Sequence, residues 1–154
     1  MTVIIGSDHG GHDLRRDLLT HLRARGVPVR DIGPADDAIV DFPDVAAQLT
    51  TALLRSEEGS RGILICGSGV GVSIAANKVR GIRAALAHDH YSAHQSVEHD
   101  DANVLCLGGR VVGTQVAREL VDAFLGATYQ GGSDFERRLR KVIALESGHG
   151  ERER

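Results

Sequence analysis

Short runs of β-branched and aliphatic residues alternate along the chain with stretches whose apolar positions recur every three or four residues. Residues 2–6 (TVIIG) read as a buried strand, and Leu14, Leu18 and Leu22 then lay one apolar stripe on a helix ending near Gly26. Residues 27–32 read as a second strand. Pro43 stands where the first turn of a helix tolerates a missing N–H, and Val45, Leu49 and Leu53 give that helix its stripe. Residues 62–66 (GILIC) predict a third strand, followed by a glycine-rich turn and a helix through Asn77. Residues 82–87 and 103–107 predict two more strands, with a helix over 90–98 between them. Val116, Leu120 and Phe124 mark the next helix; Phe135, Leu139, Val142 and Ile143 mark the last.

Strand–helix alternation of this kind predicts an α/β fold, a three-layer αβα sandwich whose five-stranded parallel sheet has helices on both faces. Strands that are apolar throughout fit burial on both sides. Neither repeat nor linker interrupts residues 1–146, which read as a single domain, and residues 147–154 read as a disordered tail. Ligands of such sheets bind beyond the C-terminal ends of the strands. That rule singles out residues 7–11, 66–71, 88–90 and 108–113.

Composition narrows the partner. The chain has 154 residues, enough for one domain with its own core and too few for two ordinary ones. Aromatic residues make up only 3%, so that core must be aliphatic. The formal charge of -3, without a basic face or stacking aromatics, argues against nucleic acid and for a small ligand. The start, MTVIIGSDHGG, has neither the basic head nor the long apolar run of a signal peptide. No stretch approaches the roughly 18–20 apolar residues of a membrane span. A cytoplasmic protein with two free thiols, Cys66 and Cys106, is the expectation.

The most informative segment is Cys66-Gly67-Ser68-Gly69-Val70-Gly71-Val72-Ser73, between a strand and a helix. Its backbone N–H groups can converge in front of the thiol and bind phosphate or a developing oxyanion. A thiol so placed should ionise more readily than one at the reference value of about 8.5. The plain alternative is a buried cysteine closing a strand before a tight turn. Gly67 and Gly69 also fit the start of a dinucleotide fingerprint, with Asp89 about twenty residues on as a ribose-binding acid, but the third glycine position is Val72. A Cys-x5-Arg phosphatase loop fails at the same residue.

Ser7-Asp8-His9-Gly10-Gly11 follows the first strand, where Asp8 and His9 can hold hydroxyls and phosphate, or Asp8 can simply cap the first helix. His90 and His94 are one helical turn apart, as metal ligands often are; an exposed polar face explains them as well, and no H-E-x-x-H signature is present. His99 lies just before a strand. Arg110 follows the fifth strand, and Arg137, Arg138 and Arg140 stud the last helix, where an anionic ligand could find a cation.

Together, GSDHGG (6–11), DFPD (41–44), GILICGSGVGVSIAANKVRGIRA (62–84), YSAHQSVEHDDANVLCLGGRVVG (91–113) and AFLGATYQGG (123–132) resemble the ribose-5-phosphate isomerase B family, which includes allose-6-phosphate and galactose-6-phosphate isomerases. The resemblance implies a flavodoxin-like, Rossmann-type fold and a homodimer with sites at the subunit interface, and leaves dimer and tetramer as alternatives. It implies an enzyme without metal or cofactor that interconverts aldose and ketose phosphates. Cys66 matches the base that moves a proton between sugar carbons, Ser68 the hydroxyl beside it, and His99 the residue that opens the sugar ring, with Asp8 on the ring-oxygen side. Backbone amides of Gly67, Ser68, Gly69, Val70 and Gly71 match the cradle for a cis-enediolate. His9, Arg110 and Arg137 match phosphate ligands, Arg137 reaching the other subunit's site.

The chemistry agrees with the resemblance, since isomerisation needs one base and charge stabilisation on the enediolate oxygens. Three positions depart from the pattern. Ser133 and Asp134 follow the paired glycines where Arg is usual, Asp100 replaces an Asn and can only accept hydrogen bonds, and Val97 replaces a common Arg. Ribose 5-phosphate is the expected substrate. A tetrose or hexose phosphate such as allose 6-phosphate, or a phosphate held by Arg137 and Arg140, is the alternative. Outside the class stand a non-catalytic sugar-phosphate module and a nucleotide-binding module.

Overall fold

The computed structural model describes residues 1–36 and 38–148. Five strands, β1 (Val3–Ser7), β2 (Val29–Asp31), β3 (Arg61–Cys66), β4 (Ala84–Leu86) and β5 (Val104–Gly108), form one sheet in the order β2-β1-β3-β5-β4. All four pairings are parallel. The helices are α1 (His12–Ala24), α2 (Phe42–Leu54), α3 (Val70–Ala76), α4 (His90–Asp100), α5 (Thr114–Gly126) and α6 (Ser133–Gly148). A 3-10 turn, His9–Gly11, leads into α1. The predicted three-layer α/β sandwich is therefore present. Among the described residues no helix is long and apolar enough to cross a membrane.

Two apolar cores explain the layering. On one face of the sheet Val3, Ile5, Ile63, Ile65, Leu105 and Leu107 meet the stripes of α1, α4 and α5. On the other, Ile4, Leu64 and Cys106 meet α2 and α3 through Val45, Leu49, Leu53, Val72 and Ala76. The period-2 alternation of a strand sends neighbouring side chains to opposite faces, so a strand covered on both faces must be apolar at every position. Each fully buried Leu or Ile contributes about 1.5–3 kcal/mol. That description fits β1, β3 and β5 and fails for β2 and β4, the two edges, whose burial is only partial. The edge strands are also shorter than the apolar runs that predicted them.

Helix ends follow local chemistry. Gly26 takes φ 71° just past α1, and Val27 N–H donates to Leu22 O at 3.0 Å, closing the helix as a left-handed glycine normally does. Pro43 occupies the first turn of α2 as expected. The last helix departs from expectation in two ways. It runs through Gly148, so Ser147 and Gly148 are helical rather than part of a disordered tail, and the remaining tail residues lie outside the described residues. Its apolar stripe is not buried by the other described residues: α6 has no buried residue, and Val142, Ile143 and Leu145 are 50%, 44% and 62% exposed.

The crossover from β1 runs to β2 on one side while β3 leads toward β5 and β4 on the other. This places a topological switch between β1 and β3, where open α/β sheets form their ligand crevice. Arg15, 2% exposed, braces this point from below. Its guanidinium donates to Ser7 Oγ at 3.1 Å and Pro34 O at 2.5 Å, and its Nε lies 3.4 Å from Asp31 Oδ1.

Candidate active site

Three loops converge over the C-terminal ends of β1, β3 and β5. Asp8 N–H donates to Ile65 O at 3.2 Å, Gly109 N–H to Cys66 O at 2.8 Å, and Arg110 N–H to Gly67 O at 3.0 Å. The approach is so close that a Cβ on Gly11 would stand 2.7 Å from Ile65 O. Gly69 has φ 79° and would place a Cβ 2.8 Å from the Leu107 carbonyl carbon, so the turn after Cys66 requires glycine for two reasons.

Cys66 sits at the floor of this meeting point, 5% exposed, and its Sγ accepts the Gly69 N–H at 3.1 Å. Ser68 is exposed; its Oγ accepts the Val70 N–H at 3.2 Å and keeps its own O–H to donate. The amides of Gly71 and Val72 belong to the first turn of α3, where no intrahelical carbonyl reaches them. Asp8 is 8% exposed and caps the 3-10 turn, its Oδ1 accepting the Gly10 N–H at 2.8 Å. Capping uses one of its oxygens, so the two readings of Asp8 are compatible. His9 is exposed beside it. The Arg110 side chain lies over Gly67, its Nη1 3.6 Å from where a Cβ would be. Asp8, His9, Cys66, Gly67, Ser68, Gly69, Val70, Gly71 and Arg110 thus form one cluster.

Two further side chains shape it. The Phe42 ring walls the glycine loop, 3.0 Å from a hypothetical Cβ on Gly71. The DFPD stretch contained it without giving it a role. His88 accepts the Gly108 N–H on Nε2 at 2.9 Å, which fixes the backbone leading to Arg110. Burial lowers the His88 pKa, with Asp89 opposing in part, so the ring favours the neutral form that this bond requires. Cys106, by contrast, is a core thiol whose pKa burial pushes far up.

His99, Asp100, Arg137 and Arg140 are not part of this cluster. Helix α4 starts at the C-terminal ends of the strands and returns, so its last residues lie beside the N-terminal ends. Arg83, just before β4, donates to Asp101 O at 2.6 Å and to its carboxylate at 2.7 Å, and Asn103, just before β5, donates from its backbone to Arg83 O. These contacts also hold Asp101 in a left-handed conformation, φ 52°, that an aspartate can adopt. From Asn103 to Gly108 the sheet spans about 16 Å at ~3.3 Å per residue. Helix α6 joins this lower group: the Phe135 ring stacks on His99 with centroids 4.2 Å apart. Arg137 pairs with Asp134 at 2.5 Å, and Arg140 pairs with Glu136. Both candidate phosphate arginines are thus engaged by acids of their own helix. Asp100 is exposed.

The competing readings fare less well. Asp89 caps α4, its Oδ1 accepting the Ser92 N–H at 2.8 Å, a role that explains it without a ribose. His90 and His94 stack on each other, ring centroids 6.3 Å apart, and no cluster of three or more metal-ligating side chains occurs among the described residues.

A family model described as Ribose/Galactose Isomerase matches residues 3–142. Ribose-5-phosphate isomerase B of Escherichia coli (strain K12) is 45% identical over 144 residues, covering 94% of this chain and 95% of that protein. D-erythrulose-4-phosphate isomerase 2 of Mycolicibacterium smegmatis is 41% identical over 150 residues, covering 95% of this chain and 97% of that protein. The solved structure of ribose-5-phosphate isomerase B from Clostridium thermocellum superposes with a TM-score of 0.92 at 46% identity, over 97% of this chain and 99% of that one.

Proposed function

The chain belongs to the ribose/galactose isomerase family and is an aldose–ketose isomerase of sugar phosphates; on that premise we propose that it converts ribose 5-phosphate to ribulose 5-phosphate with Cys66 as the carbon base. The observation that carries this reading is the position of Cys66 Sγ, 3.1 Å from the Gly69 amide and walled by a loop with further unpaired amides. An aldose bound there gives up its C2 proton to the sulfur, and the C–H electrons become the C1–C2 double bond of a cis-enediolate. Backbone N–H groups of the loop take the charge that develops on O1, as preorganised donors do in a dry site. The Ser68 hydroxyl stands where protons pass between O1 and O2, and the sulfur returns its proton to C1. His9 and Arg110 offer donors to the distal phosphate.

His99, Asp100, Arg137 and Arg140 enter this scheme from a second copy of the chain. A two-fold dimer brings the lower group of each protomer to the upper cluster of the other, which makes both sites equivalent. The exposed Val142, Ile143 and Leu145 on α6, and the exposed Val70 and Ile74 on α3, support this reading because single chains seldom leave such surface uncovered.

A tetrose 4-phosphate is the second reading, favoured by one feature. Asp134 holds Arg137 at 2.5 Å, so the cation expected to reach a distant phosphate is already paired. Turnover is measured as ketose formation from ribose 5-phosphate and from erythrose 4-phosphate, with EDTA and no added cofactor. Faster turnover of the tetrose refutes ribose 5-phosphate as the preferred substrate. Cys66→Ala should abolish turnover of either while leaving ligand affinity within about tenfold.

A further inference from the structure

Helix α4 carries, one turn before His99, a side chain with no role in the scheme above. The Gln95 amide nitrogen Nε2 lies 2.9 Å from His99 Nδ1. With that nitrogen facing the ring, the amide N–H donates, so Nδ1 offers its lone pair and the ring proton sits on Nε2. The other side of the ring agrees. Glu98 Oε2 lies 3.8 Å from His99 Nε2, and an ionised carboxylate only accepts, so it too favours a proton on that nitrogen. Glu98 is itself steadied by His94, whose Nδ1 is 3.4 Å from the same oxygen, and by its backbone carbonyl, which accepts the Gln130 N–H at 2.9 Å. The Phe135 ring stacks at 17° to the imidazole and fixes its plane. The imidazole keeps 29% of its surface open, so this is not a histidine sealed into a core.

We propose that Gln95 is a positioning residue that holds His99 as its Nε2–H tautomer, so that His99 meets a bound sugar as a hydrogen-bond donor through Nε2. This rests on the reading of His99 as the residue that acts on the sugar ring. A histidine free to exchange tautomers presents the donor only part of the time, and the wrong tautomer would turn a lone pair toward the sugar where a hydrogen bond to one of its oxygens is needed.

The experiment uses the full chain labelled with nitrogen-15, with imidazole signals recorded at pH 8.5, where an ordinary imidazole is neutral, and the His99 signals identified by their loss in His99→Asn. The wild-type protein should show protonated Nε2 and bare Nδ1. Gln95→Glu sets an acceptor opposite Nδ1 and should invert the pattern, lowering kcat about tenfold or more with a much smaller change in KM. Gln95→Met, which fills the same space without a donor, should show both tautomers and an intermediate kcat. Bare Nε2 in the wild type overturns the proposal whatever the turnover, and so does an inverted tautomer with unchanged kcat. Full turnover by His99→Asn overturns the role of His99 itself, a failure told apart from the others because the tautomer is read without turnover.

Discussion

Cys66 closes β3 at one end of the sheet and His99 lies in the last turn of α4 at the other, with about 16 Å of β5 between their levels. No side-chain rearrangement closes such a gap, because the strands between are the close-packed core. If both residues serve one reaction, they serve it from different chains, and two inactive variants should rescue each other. Cys66→Ala keeps a sound His99; His99→Asn keeps a sound Cys66. In an equal mixture allowed to reassort, about half of the dimers pair one variant with the other. Each such dimer has one site with both residues intact and one with neither. About one quarter of all sites are then complete, so the mixture should recover about a quarter of wild-type kcat from two nearly inactive preparations. The assay is ketose formation before and after reassortment, with native mass spectrometry counting the mixed dimers. Mixed dimers at the expected abundance without recovered activity would refute the shared site, and a monomer of full activity would refute it sooner.

The remaining predictions concern local chemistry. Neutral His88 accepts the Gly108 N–H, and burial lowers its folded-state pKa below that of the unfolded chain. The unfolded state therefore binds the proton more readily, and the stabilisation is fully present above about pH 6.5 and lost as pH falls through the folded value. Thermal melts of the wild type and His88→Asn should converge between pH 7.5 and pH 5; a constant gap would show that the ring does not titrate against this bond. Asp89→Ala removes the cap of α4 and should cost about 1 kcal/mol in urea unfolding while leaving turnover unchanged. Saturable NAD binding that vanished in this variant would instead return Asp89 to a ribose-binding role.

The alternation of apolar runs and helical stripes was enough to establish the parallel α/β sandwich. The reason is local: a strand buried on both faces must be apolar at every step, as Val3–Ser7, Arg61–Cys66 and Val104–Gly108 nearly are. The glycine loop after Cys66 was legible for a similar reason, since a backbone that approaches another within contact distance leaves its mark as glycine. Other features were hidden because they depend on neighbours remote in sequence. Arg15 reads as an ordinary polar helix position, yet it is buried because Ser7 and Pro34 receive its guanidinium. The shortened edge strands follow from strand order, which a linear pattern does not encode. The stripe on α6 was visible, but periodicity says only that one face seeks cover, and the other described residues do not supply it. Above all, the strand-end rule grouped Asp8, His9, the loop after Cys66 and Arg110, whereas His99 and Arg137 joined them by resemblance alone. The direction of α4 against the sheet is a tertiary fact, and it is what separates Cys66 from His99: a helix that returns between parallel strands must carry its two ends to opposite ends of those strands.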